Sequence, residues 1–243
     1  MRRFCLVLAW LLPCAAVLLS EPKKPPKPDH ALLTDLDLRS VKPGDWIEYD
    51  GTLSPAKGKD ERWTSRLACV GGDDESLRIE TDRNQDCPDG TTWLVEAVRA
   101  DSSIRRFWWG QSGGAGTAVE APAARPKRPP RLEGRGVVSK ETLEIGGRKV
   151  ECIKLACDVA ETASGGKGKE TESYRWTRWL SKELPFPRFV RQGGAEFDRI
   201  EWEGEIPESA SVVKMVFEYP EGDVVTTVAR GWGTDAKGSL EVK

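Results

Sequence analysis

Beyond residue 45 the apolar residues recur at every second position, in short runs closed by glycine or proline. That is the periodicity of half-buried strands, not of helices. Residues 45–50 form the first such run, entered through the turn Lys42-Pro43-Gly44. In residues 62–70 the pattern puts Trp63, Leu67 and Cys69 on one face, and Gly71-Gly72-Asp73-Asp74 turns the chain into residues 76–81. Residues 91–98 and 104–109 read as a hairpin around Ala100-Asp101-Ser102. Residues 140–145 and 148–159 flank Gly146-Gly147, a two-residue hairpin signal, with Ile153, Leu155, Cys157 and Val159 on the inner face. Residues 170–180, 189–191, 196–203, 212–219 and 224–232 complete the pattern. With roughly eleven strands, the expected fold is mainly β: a curved antiparallel sheet or a partly open barrel.

Three stretches depart from this rhythm. Residues 31–41 carry leucines at 32, 33, 36 and 38, enough to predict one short N-terminal helix. Residues 21–30 are a Pro/Lys linker, extended by composition. Residues 110–136 combine glycine, proline and alanine with the basic string Arg125, Lys127, Arg128, Arg131 and Arg135, which reads as a long disordered loop inside one β-rich domain spanning residues 31–243. Residues 1–20 have Arg2-Arg3 ahead of an apolar run that ends at small Ser20, the form of a cleaved secretory signal. Pro13 breaks that run, which is short for a span needing ~20 residues, so no transmembrane span is expected in the mature chain. Leu11-Leu12-Pro13-Cys14 resembles a bacterial lipobox, but proline in place of a small residue argues against a lipid anchor at Cys14. The expected location is secreted or periplasmic.

Lys42-Pro-Gly-Asp-Trp-Ile-Glu-Tyr49, Glu144-Ile-Gly-Gly-Arg-Lys-Val-Glu-Cys152 and Trp179-Leu-Ser-Lys-Glu-Leu-Pro185 follow one another in that order. Across residues 40–205 the chain resembles a group of uncharacterised secreted bacterial β proteins of planctomycete type, with GDWVEY-, GGKKxxC- and WxSxEVP-like segments. That group is distantly similar to the LolA/LolB-like lipoprotein-carrier folds. The resemblance implies export and a curved antiparallel sheet around an apolar hollow. It carries no catalytic residues onto this sequence.

Composition mainly excludes. The charge is nearly balanced, with 37 basic and 39 acidic residues, and there is one histidine among 243 residues. That histidine, His30, lies in the linker, so histidine triads, relays and His-rich metal sites have no material. An acidic, exported chain is also a poor nucleic-acid binder, whatever its basic string. No Walker A or dinucleotide fingerprint occurs, and no cofactor is implied. Past the signal, Cys69, Cys87, Cys152 and Cys157 are disulfide candidates. Cys152 and Cys157 are five apart on one strand, so they face opposite sides ~16 Å apart. A bridge spans only about 4.4–6.8 Å between Cα atoms. Two bridges would therefore be 69–157 with 87–152, or 69–152 with 87–157. Buried free thiols are the alternative.

Asp82, Asn84 and Asp86 have the 1-3-5 spacing of a calcium loop, yet Cys87 and Trp93 stand where its glycine and glutamate belong, and a solvated turn explains the run. Ser211-Val-Val-Lys214 has the Ser-x-x-Lys spacing of penicillin-recognising enzymes, but in a strand its ends point oppositely. Glu201, Glu203 and Glu205 alternate as the wet side of a strand does, with nothing to mark a glycosidase acid pair. Ten tryptophans are a surplus: most fit strand cores, leaving Trp108, Trp109 and Trp232 as candidate ligand-binding residues.

These readings converge on a non-enzymatic binding protein for an apolar ligand or a partner protein. A carbohydrate-binding module using exposed tryptophans is the alternative, and a carboxylate-dependent hydrolase comes third. The expected partners are an apolar small molecule, a glycan or an envelope protein.

Overall fold

The computed structural model describes residues 36–83, 91–119, 131–165, 168–190 and 200–242. They fold into one open, mostly antiparallel sheet. Its strands are β1 (Trp46–Ser54), β2 (Glu61–Gly72), β3 (Ser76–Arg83), β4 (Thr91–Val98), β5 (Ile104–Gln111), β6 (Thr117–Val119), β7 (Arg131–Ile145), β8 (Arg148–Gly165), β9 (Gly168–Ser181), β10 (Arg188–Phe189), β11 (Ile200–Glu203), β12 (Ser209–Glu218) and β13 (Val224–Gly233). The order across the sheet is β11-β7-β8-β9-β12-β13-β1-β2-β3-β4-β5-β6, with β10 pairing β12 off this path. The β11–β7 pair is parallel. β13 lies between β12 and β1 and joins the meander β1–β6 to the strands that follow it.

Cross-strand partners share a face and build the core as rungs. Cys69, Ile79, Val95 and Phe107 form one rung through β2–β5, and Ile47 stands beside Leu67. All are buried in the larger core cluster. β8 buries both of its faces. Leu155, Cys157 and Val159 pack with Trp176, Ile200 and Ile206 beneath the crossover that leads to β12. Val150 and Cys152, of the other parity, pack with Trp179, Phe186 and Val213. The sheet is curved: the β7–β8 turn brings Arg148 to 5.2 Å from the Trp232 ring of β13, although β9 and β12 stand between those strands in the sheet.

Three expectations are corrected. The described part of the predicted helix, residues 36–41, is not helical: Leu36 forms a β-bridge with Arg188. Apart from a local turn bond from the Val41 amide to the Leu38 carbonyl at 3.3 Å, its carbonyls find distant donors. The Ser102 hydroxyl donates to the Leu36 carbonyl, and the Arg99 guanidinium donates to those of Leu38, Arg39 and Val41. Residues 31–35 lie outside the described residues.

The described part of the glycine-rich loop is mostly sheet, since the end of β5, β6 and the first part of β7 fall within it; residues 120–130 lie outside the described residues. Its glycines are points of close approach. A side chain on Gly136 would collide with the Trp202 ring, and one on Gly134 with the Asp158 carbonyl. Gly113 and Gly116 donate backbone hydrogen bonds to Ser239 and Glu241 in the C-terminal segment.

The proposed bridges from Cys69 to Cys152 or Cys157 do not form. Those three cysteines are free and buried, and β9, β12, β13 and β1 separate β8 from β2 in the sheet. Cys87 lies outside the described residues.

Candidate ligand-binding cleft

Five stretches of chain far apart in sequence meet around an open cleft of about 820 Å³. The turn before β1 brings Lys42 and Asp45, with the Asp45 carboxylate accepting from the Lys42 amide at 2.7 Å. Gly44 has φ +100° and sits so close to the Thr234 carbonyl that a side chain would collide. The end of β13 contributes Trp232, half-buried, with the Arg148 guanidinium above its ring. This cation–π contact, 5.2 Å to the ring centroid, aims the indole into the cleft edge and leaves a cation beside it. The remaining wall is residues 182–187 with Glu208 and Ser209.

That wall is anchored rather than draped. Leu184 and Phe186 point into the core, and Phe186 is 1% exposed. The Ser211 hydroxyl donates to the Leu184 carbonyl at 2.6 Å, and the Asp37 amide donates to Pro187 at 2.7 Å. Phe186 adopts φ 60°, a left-handed conformation that is strained for an aromatic residue. Its burial between Pro185 and Pro187 holds it there. Asp37 ties the N-terminal segment to the same place. The Arg39 guanidinium grips its carboxylate at 2.7 and 2.8 Å and holds it below the usual carboxylate range, against the opposing effect of burial. The rim carries Lys42, Arg148 and Lys182 facing Asp45, Glu183 and Glu208, both signs around an aromatic and proline-rich surface.

The sequence-derived candidates are dispersed. Trp232 lies at the cleft. Trp108 is 8% exposed and packs with Leu94 beneath Leu240 and Val242. Trp109 is on the opposite face of β5, half-buried beside Trp93 at 6.4 Å, and its indole nitrogen is buried with no hydrogen-bond partner. Of the calcium candidates only Asp82 is described, at the end of β3, where burial raises its carboxyl despite the nearby Arg66; Asn84 and Asp86 lie outside the described residues. Ser211 is fully buried on its carbonyl partner, and Lys214 lies 4.8 Å from the Trp179 ring. Glu201, Glu203 and Glu205 are exposed, with Glu201 3.4 Å from Arg135. Among the described residues no group of three metal-ligating side chains converges, and no helix is long and apolar enough to cross a membrane. Phe186, Arg148 and Lys182 carry no sequence mark as site residues. The Pro-Phe-Pro run at 185–187 was the one local signal of a constrained wall.

No family model matches the chain, and no curated protein matches it. Solved structures overlap it partially. A hypothetical protein from Chlamydia trachomatis is 11% identical, with a TM-score of 0.38 over 84% of this chain and 93% of that one. A candidate lipoprotein from Parabacteroides distasonis is 10% identical, with a TM-score of 0.35 over 82% and 99%. A candidate outer membrane lipoprotein-sorting domain from Vibrio parahaemolyticus is 11% identical, with a TM-score of 0.28 over 82% and 87%.

Proposed function

We propose that this chain is an exported, non-enzymatic binding protein that takes an apolar or amphipathic ligand, or the matching segment of a partner protein, across Trp232. The reading rests on one observation: a half-buried indole stands in an open cleft of about 820 Å³ whose opposite wall is held by the buried, left-handed Phe186. A preformed aromatic surface with a few polar groups around it suits passive recognition. Strain kept in such a wall is affordable where shape must be maintained before the ligand arrives. The signal-like sequence of residues 1–20 supports binding in the envelope or outside the cell.

Native mass spectrometry of the protein purified from its own envelope tests the proposal. A retained adduct that Trp232→Ala loses, with the circular dichroism spectrum unchanged, is the expected result. Wild-type protein that is bare in every preparation, or an adduct indifferent to Trp232→Ala, overturns it.

A further inference from the structure

β7 is 15 residues long, but its outer neighbour β11 has four. β11 pairs with it from Gly134 to Val137 and then leaves, with Gly204 closing against Val138. On its other side β7 pairs with β8 without a bulge, as far as Ile145↔Arg148. The phase of that hairpin fixes which backbone groups are left over. Gly146 and Gly147 have φ 56° and 75°, the type I′ geometry, so Ile145 and Arg148 exchange both of their hydrogen bonds. Antiparallel pairs alternate between bonded and non-bonded. Leu143 and Glu141 therefore bond inward to β8, and the N–H and C=O groups of Lys140, Thr142 and Glu144 point outward. Among the described residues no backbone hydrogen bond reaches them, and the three side chains are exposed.

This edge has neither of two common guards, a proline or a bulge. Its charges are the remaining guard, and they match a second copy of the same strand. When two copies of β7 meet antiparallel about a two-fold axis through Thr142, Lys140 of each lies opposite Glu144 of the other, and Thr142 meets its own counterpart. All three outward residues then fall in hydrogen-bonded pairs with opposite charges facing. The neighbouring registers lose this match. An axis through Glu141 sets two Glu141 side chains opposite each other, and one through Leu143 sets Lys140 opposite Gly146. Lys149 of β8 stands opposite Glu144, so the rung across the junction reads Lys149–Glu144–Lys140–Ile153. The Thr142 hydroxyl donates to Glu151 at 2.6 Å and stays turned toward β8.

We infer that this protein self-associates through the outer edge of β7, two copies pairing antiparallel about Thr142 so that one sheet runs through both. The contact is isologous and closes at two copies. It does not depend on what the Trp232 cleft binds.

Analytical ultracentrifugation of the exported, full chain at low salt tests it, with circular dichroism confirming that each variant is folded. Lys140→Glu and Glu144→Lys each set like charges opposite at two symmetric positions, and each is expected to weaken the dimer about tenfold. Combining them restores opposite charges in reverse order and recovers most of that loss. Thr142→Pro removes an outward donor without touching the β8 ladder and abolishes the dimer. Thr142→Cys, on the axis with Cα atoms about 5.5 Å apart, is expected to form a disulfide-linked dimer in air. Lys140→Cys, ~14 Å from its counterpart, is not. A wild-type chain that stays monomeric throughout the concentration series overturns the inference. So does a dimer that survives Thr142→Pro, a double reversal no tighter than the single ones, or equal cross-linking of the two cysteine variants.

Discussion

The indole of Trp63 occupies the space above Gly51 where a side chain would stand, and the same pairing recurs with Trp202 over Gly136 and Trp46 beside Gly233. Aromatic rings thus fill gaps left by glycine in neighbouring strands. Gly51→Ala forces the Trp63 ring out of place and is expected to lower unfolding stability by ~1–3 kcal/mol, the usual range for overpacking. Gly71→Ala, where nothing lies within 4 Å, is the matched control and should leave the urea midpoint nearly unchanged. The thiols carry a second residue-scale prediction. Burial pushes Cys69 and Cys152 up to about 11 and Cys157 to about 12. Iodoacetamide at pH 8 should leave all three unmodified in the native protein and label them after unfolding. A raised thiol pKa stabilises the fold below the free value of about 8.5, and that contribution is lost as pH rises through 11–12. Cys69 and Cys157 were legible as buried strand residues, since alternation places them inward, whereas Cys152 is buried because β8 packs on both faces. Their lack of pairing was not, because it depends on which strands become neighbours.

At the scale of elements, the first and last described segments are each held by a single carboxylate. Glu80, 2% exposed, accepts the amides of Ser239 and Leu240 at 2.7 and 2.9 Å through one oxygen, fixing the C-terminal segment that covers Trp108. Glu80→Ala strands both amides. Hydrogen bonds to a charged group contribute about 1.5–3 kcal/mol, so exchange at Ser239 and Leu240 should accelerate about tenfold or more in amide hydrogen exchange. Asp37 does the corresponding work for the N-terminal segment. Its folded pKa is depressed by Arg39, so its contribution is present above the unfolded value of about 3.9 and is lost as pH falls through the folded one. In urea titrations Asp37→Asn should therefore be less stable than wild type at pH 7, with the gap closing toward pH 3. Neither segment was readable from pattern. Residues 36–41 have leucines at helical spacing, and residues 110–116 have a loop's glycine content. In each case long-range hydrogen bonds take the backbone groups that local structure would otherwise use.

Across the whole molecule β13 is the joint. It pairs with β1 on one side and β12 on the other, so residues 46 and 233 become partners and the sheet runs through both halves of the chain. Thr227 lies mid-strand, opposite Gly51 and Met215. Thr227→Pro removes a ladder donor from a central strand and is expected to cost about 3 kcal/mol or more, read as a lower denaturation midpoint. The sequence by itself determined most of the strands, though not β6 or the start of β7, and most of their inward residues, because side-chain alternation is a local property of each run. It also limits any histidine chemistry in this chain to one residue, His30. Only the tertiary structure decided the strand order, the free state of three cysteines and the burial of Trp108. It alone brought Trp232, Arg148 and Phe186 to one cleft. These depend on which distant strands pair and how sharply the sheet curves, and a period of two residues says nothing of either.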